Sequence, residues 1–255
     1  VAPPPVHELA AEPGWRSADL ISDLHLQESD PATFDAWRRF VAASDADALF
    51  ILGDLFEAWP GDDVLDLGGF EAGCARVLRE ATSRRPVFFM HGNRDFLVGE
   101  AFARAGCVRL LPDPTVLALG PHRWLLSHGD PLCLGDTEYL AFRAQVRQAP
   151  WQRDLLRRPL AERQALARSM RAQSEDRKRS GATYADADPD EARAWLAAAK
   201  APTLVHGHTH RPADHDLGSG LRRIVLSDWD LQARPPRAEA LRLSIDGSAR
   251  RIPLA

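Results

Sequence analysis

Residues 48–57, Ala-Leu-Phe-Ile-Leu-Gly-Asp-Leu-Phe-Glu, join two kinds of sequence within ten positions. The first five are apolar without alternation, too few for a stable helix, and read as a strand buried on both faces. The run stops at Gly53, and Asp54 and Glu57 follow at once. In an open α/β sheet, ligands bind just outside the carboxyl ends of the strands. Polar residues that follow apolar runs of this type are therefore the first candidates for chemistry.

Comparable runs occupy residues 19–21, 86–90, 123–126, 202–205 and 222–226. Four of these also end in reactive residues: Ser22-Asp23-Leu24-His25, His91-Gly92-Asn93-Arg94-Asp95, His128-Gly129-Asp130 and His206-Gly207-His208-Thr209-His210. Between the first two strands, Phe34, Trp37 and Val41 share one helical face; between the second and third, residues 70–84 repeat the pattern with Cys74, Val77 and Leu78. Strands alternating with helices imply right-handed crossovers and a largely parallel sheet, hence an α/β fold. Residues 137–200 differ: Tyr139, Phe142, Val146, Trp151, Leu155, Leu156, Leu160, Leu166 and Met170 are spaced for helices, broken by prolines at 150, 159 and 189. They read as a helical insertion between core strands. Residues 240–245 and 249–254 flank Asp246-Gly247 as a closing hairpin.

Each cluster alone recurs by chance, and a single strand-end histidine is commonly structural. Five in succession should converge on one rim. Gly53, Gly92, Gly129 and Gly207 permit tight turns that bring the next side chain close to an ion. A donor set of Asp, His and Asn without Cys suits Mn²⁺, Fe or Zn²⁺ in partly aqueous coordination, not a closed structural zinc site.

The series D-x-H, G-D, G-N-x-D, H-G-D and H-G-H resembles the calcineurin-like metallophosphoesterases. That resemblance implies a β-sandwich flanked by helices, with Asp23, His25, Asp54 and His208 on one metal and Asp54, Asn93, His128 and His206 on the other. Asp54 would bridge two ions about 3.5–4 Å apart. His210 would hold a structural place behind the ligands. The finer wording, ISDLHL, ILGDLFEAWPGDD, HGNRDFLVG, LSHGDPLC with Asp136 and Tyr139, and HGHTHRP with a later IVLSDW, is similar to UDP-2,3-diacylglucosamine diphosphatases of the lipid A pathway, from about residue 20 to 229. This implies a metallophosphoesterase domain over 16–255, interrupted by a cap at 131–200 that holds acyl chains, and preceded by a tail at 1–15. It further implies two Mn²⁺ ions, catalytic roles for Asp54, Asn93, Arg94 and His206, and substrate contacts from Asn93, Arg94, Asp136, Ser174 and His206. Beyond Ser174 the match departs from the family: Lys178 and Gly181 stand where an Asn and a Lys occur in enterobacterial members. Lys178 is either a shifted phosphate contact or one charge on a solvated Arg-Lys-Arg run.

The net charge of −4 conceals an asymmetry: between Glu138 and Ser180, eleven basic residues face five acidic ones, a net of +6. This is either a solvated helical surface or a face for phosphate and anionic lipid. Only Tyr139, Phe142 and Trp151 accompany it, so the interleaved aromatics of a nucleic-acid groove are lacking. A nuclease, nucleotide phosphatase or phosphoprotein phosphatase using the same ligands is one rival reading, and a metal-free binding scaffold another; the full ligand set opposes the scaffold. No obligatory protein partner is implied. Cys74, Cys107 and Cys133 form no C-x-x-C pair or disulfide framework, which fits a reducing cytosol. Residues 1–15 contain four prolines but no basic start before an apolar run, so they read as a loose tail and not a signal peptide. No apolar run is long enough to span a bilayer. The expected location is the cytoplasmic face of the bacterial inner membrane, with peripheral contact only.

Overall fold

Alternate side chains of residues 48–52 face opposite layers, and the architecture follows from that division. The structure, a computed structural model, describes residues 3–179 and 185–254; the side chains of 173–179 lie outside that description. Its elements run β1 (His7–Ala10), β2 (Ser17–Ile21), α1 (Pro31–Ala43), β3 (Ala48–Leu52), α2 (Phe70–Thr82), β4 (Val87–Met90), α3 (Glu100–Gly106), β5 (Arg109–Leu111), β6 (Thr115–Leu119) and β7 (His122–Leu126). They continue with α4 (Thr137–Val146), α5 (Ala149–Leu156), α6 (Leu160–Arg179), α7 (Pro189–Ala199), β8 (Thr203–His206), β9 (Ala213–Gly218), β10 (Leu221–Val225), β11 (Glu239–Ser244) and β12 (Ala249–Pro253).

The strands form two six-stranded sheets, ordered β1-β6-β7-β8-β10-β9 and β12-β11-β2-β3-β4-β5. Ala48, Phe50 and Leu52 join Leu20, Phe88 and Met90 against Leu117, Trp124, Leu126, Val205 and Ile224 of the opposite sheet. Phe50 and Phe88 stack there with centroids 4.7 Å apart. Leu49 and Ile51 belong instead to the layer containing Trp37 and Phe40 of α1 and Cys74 and Leu78 of α2. On the far sheet, Val116, Leu125 and Leu204 meet Trp195 and Leu196 of α7. Each fully buried side chain of this size contributes about 1.5–3 kcal/mol of transfer free energy, so three such layers hold both sheets in register.

Two expectations change. The sandwich that the family resemblance implied is present, but the largely parallel sheet read from alternating strands and helices is divided into two mixed sheets: β2-β3-β4-β5 and β7-β8-β10 are parallel, whereas β6 pairs antiparallel with β7, β9 with β10, and β11 with both β2 and β12. Strands β5, β6 and β9 were unforeseen; β6 is interior, between β1 and β7, whereas β5 and β9 are edge strands, one only three residues long and the other polar as Ala-Asp-His-Asp-Leu-Gly. Nor is the first stretch wholly a loose tail. His7–Ala10 pairs parallel with β6, Arg123 holds Glu8 through two contacts of 2.9 and 3.0 Å, and buried Trp15 packs edge-on against Phe50 and Phe88. That strand exists through its neighbour, not through its own weak pattern.

The insertion also divides. Helix α7 covers the outer face of β7 and β8, while α4, α5 and α6 reach toward the strand ends that carry the reactive clusters. Among the described residues, no helix is long and apolar enough to cross a membrane.

Candidate metal centre and its cap

The five clusters lie at the carboxyl ends of β2, β3 and β4 in one sheet and of β7 and β8 in the other. The centre therefore bridges the open edge between the sheets. Asp23, His25, Asp54, His208 and His210 all have left-handed backbone, with φ of 54, 49, 51, 67 and 52°. Such conformations cost on the order of 1–3 kcal/mol each for non-glycine residues and persist only when surroundings impose them. Here the loops hold one another: Asp23 N donates to Gly53 O, Leu24 N and His25 N to Asp54 O, Gly207 N to His128 O, and Trp229 N to Asp23 O. Buried Asp95 adds a hub, accepting from the backbone N–H groups of Gly92 (2.8 Å), Leu55 (2.8 Å), Asp54 (3.3 Å) and Phe56 (3.4 Å). Gly92 and Gly207 sit so close to the Asp54 and Asp23 carboxylates that a Cβ on either would collide with them.

Two groups of three donors converge, Asp23–His25–His210 and Asp23–Asp54–His128, with the ligand atoms of each within 4.8 Å of one another. Asn93 Oδ1 lies 2.9 Å from His128 Nε2 and 2.8 Å from His208 Nδ1. His25 Nε2 lies 3.9 Å from Asp54 Oδ2 and 3.2 Å from His210 Nε2; His128 Nε2 lies 3.7 Å from Asp54 Oδ1. His208 thus turns to Asn93 and stacks on Tyr139, while His210, expected behind the ligands, stands 3.5 Å from Asp23 Oδ1.

The donor chemistry fits divalent cations. His128 Nδ1 donates to the Leu52 carbonyl at 2.9 Å, and His206 Nδ1 to the Gly207 carbonyl at 2.8 Å, so Nε2 is the remaining nitrogen of each ring, that of His128 lying 2.9 Å from Asn93 Oδ1. His206 Nε2 is buried without any hydrogen-bond partner. Burial holds His206 at about 3 and His208 at about 4, keeping both neutral as ligation requires. Asp23 remains ionised: burial works against its charge, but the His210, His128 and His25 imidazoles outweigh it and hold the carboxyl well below the usual range. His128 runs the other way, because Asp54, Asp130 and Asp23 overcome its burial and raise it to about 9. The surplus of anionic and lone-pair donors is what a pair of cations would satisfy.

Residues 18–212 match the family model of the calcineurin-like phosphoesterases. The chain belongs to that family. Curated relatives named UDP-2,3-diacylglucosamine hydrolase align over nearly their whole length. The protein of Chromohalobacter salexigens is 44% identical over 241 residues, covering 91% of this chain and 94% of the relative. That of Xanthomonas axonopodis pv. citri is 45% identical over 243 residues, covering 90% and 96%. That of Pseudomonas putida is 48% identical over 222 residues, covering 83% and 90%.

In this phosphoesterase part of the cluster lines a cavity of about 1130 Å³. His25, Asp54, Asn93, Arg94 and Asp136 line it, together with Phe142, Trp151, Leu155, Leu166 and Met170 of the insertion. Trp151, Leu155 and Leu166 also pack on the main core, as does Leu160, which does not line the cavity; Leu156 is exposed. Asp136 caps α4, accepting from Tyr139 N at 3.1 Å. The cap is tied down along one face of α4: Tyr139 Oη donates to Asp130 at 2.5 Å, Arg143 Nε to the same oxygen at 2.7 Å, and Arg147 to the Gly92 carbonyl at 2.8 Å. The side chains of Ser174 and Lys178, and all of Gly181, lie outside the described residues.

Sequence reasoning did not give roles to Asp95, Asp130, Tyr139, Arg147 or Glu57. Asp95 and Asp130 end the very motifs that carry the candidate ligands, which was the available signal. The i, i+4, i+8 spacing of Tyr139, Arg143 and Arg147 was the signal for the strut.

Proposed function

We propose that this phosphoesterase hydrolyses the pyrophosphate bond of UDP-2,3-diacylglucosamine, releasing UMP and 2,3-diacylglucosamine 1-phosphate in lipid A biosynthesis. The observation that carries this reading is the alignment with hydrolases of that name across about nine-tenths of both chains, cap included. The cavity supports it, since one space is lined both by polar donors of the centre and by apolar side chains of the insertion, as a ligand with a charged part and a fatty part requires.

Asp23, His25, Asp54 and His208 are assigned to one Mn²⁺, and Asp54, Asn93, His128 and His206 to a second. Such a pair supplies Lewis acidity, activating water and offsetting charge as phosphorus is attacked. Arg94 lies at the cavity wall, and its guanidinium is permanently charged and a poor proton donor. Its role is to grip phosphate oxygens. No strong acid is needed opposite, because the departing sugar phosphate is already a stable anion with a second pKa of about 6. Asp136, Ser174 and Lys178 are assigned to the substrate, and the basic insertion to an anionic membrane on the cytoplasmic face of the inner membrane.

Hydrolysis of UDP-2,3-diacylglucosamine by chelated protein, with and without restored Mn²⁺ and in ¹⁸O-labelled water, tests the proposal. Manganese-dependent release of UMP carrying the label is expected. Label in the sugar phosphate would refute the point of attack, and cleavage of simple phosphodiesters with none of the lipid would refute the substrate.

A further inference from the structure

We propose that Glu57 is the positioning residue of this centre, with one carboxylate orienting the ring of His25, holding Arg94 at the cavity wall and seating cap helix α6 through Arg171. Its Oε2 lies 3.0 Å from His25 Nδ1, while its Oε1 lies 3.6 Å from an Arg94 terminal nitrogen and 3.3 Å from Arg171 Nε. The two oxygens therefore serve different tasks.

On the His25 side, Nδ1 meets Glu57 as a charge contact, while Nε2 lies 3.2 Å from His210 Nε2 and 3.9 Å from Asp54, so the carboxylate selects Nε2 as the nitrogen offered to a cation. A carboxylate behind a ligating imidazole orients the ring and raises its basicity. On the arginine side, Glu57 gathers two guanidinium groups from separate parts of the chain, Arg94 from the loop after β4 and Arg171 from α6. Arg171 is braced again by donating to Gln27 Oε1 at 2.6 Å. The backbone beneath is fixed, because Glu57 N donates to Leu26 O at 3.2 Å beside the Leu26–Phe56 bridge. One carboxylate thus faces an imidazole and two guanidinium groups.

The sequence places Glu57 three residues after Asp54, in the loop that supplies the bridging carboxylate. A residue that only sealed the cavity rim would affect melting alone. The positioning role makes separable demands: His25 needs an acceptor, which Gln retains, whereas the two arginines need a charge, which Gln lacks.

The test uses full-length Glu57→Gln and Glu57→Ala, with manganese affinity measured by the electron paramagnetic resonance of free Mn²⁺, without substrate. Glu57→Ala should weaken one of two manganese ions by about 10–100-fold. Glu57→Gln should keep both ions within a few-fold of the parent and raise KM about ten-fold with a smaller change in kcat. Unchanged manganese affinity in Glu57→Ala, or unchanged KM in both variants, overturns the proposal. Should Glu57→Ala fail to fold, KM of Glu57→Gln decides alone. The KM arm rests on the activity proposed above, but the manganese arm does not. A protein inactive on the lipid can therefore still confirm or refute the role of Glu57, with KM read on whichever phosphoester it cleaves.

Discussion

Replacing Asp130 by asparagine removes a negative charge from beneath the cap and should lower stability by about 3 kcal/mol. The carboxylate is fully buried, and one of its oxygens accepts from both Tyr139 Oη at 2.5 Å and Arg143 Nε at 2.7 Å. Asparagine can still accept from the tyrosine, but it leaves the partly buried guanidinium without its counter-charge. Breaking a buried pair from one side costs about 3–5 kcal/mol. The lower end applies, because Asp113, pushed up first by its burial and then by Asp130, is relieved when the neighbouring charge goes. For a chain of this size, about 3 kcal/mol corresponds to a fall in Tm of roughly 6–12 °C. Thermal unfolding followed by circular dichroism gives the magnitude, and amide hydrogen exchange gives the place, which should be α4 before the sheets. Asp130→Asn combined with Arg143→Met should recover part of the loss. A Tm within 2 °C of the parent, or a double variant less stable than the single, would refute the reasoning.

Gly207→Ala should reduce bound manganese well below the parent's content, because its Cβ is directed into the Asp23 carboxylate and Ser22; full metal content would contradict that packing. Phe142→Ser and Met170→Ser, at the cavity wall, should raise KM for diacyl substrate with little loss of Tm, whereas Leu160→Ser, on the main core, should lower Tm and spare KM; the opposite pattern would dissociate the cavity from the acyl chains. The chelated protein should lose stability as pH falls below about 4. Glu57 and Asp130 are both held below the usual carboxylate range: burial opposes their charge, but His25 and two arginines outweigh it at Glu57, and Arg143 and His128 do so at Asp130. The unfolded chain therefore takes up protons first, so their contribution is complete above the unfolded value of about 4 and is lost through the folded value, about 2 for Glu57. Asp130→Asn should lose less between pH 5 and 2 than the parent; equal losses would show that Asp130 is not one of the groups responsible.

The strands that carry the clusters were legible because they are short, apolar for most of their length and followed by glycine or candidate metal donors. Edge strands β5 and β9 were not, since one is three residues long and the other alternates polar residues on an exposed border. The sandwich was implied only by family resemblance, because Phe50 facing one layer and Ile51 another produces the same unbroken apolar run as a parallel sheet covered by helices. Strand β1 was hidden because its pairing with β6 comes from residues more than a hundred positions away. At the centre, donor types and order were readable, but the relative places of His208 and His210 depend on left-handed turns that spacing does not reveal.

The donors come from loops of both sheets, and this gives the ions a second consequence. A cation pair held between Asp54 on one sheet and His128 and His206 on the other would act as a rivet through the open edge of the sandwich. Unfolding would then have to draw the rivet as well as separate the layers, and the native state would gain stability in proportion to the logarithm of free metal concentration. Metal supply in the cell would set not only how fast this phosphoesterase works but how long each copy of it survives.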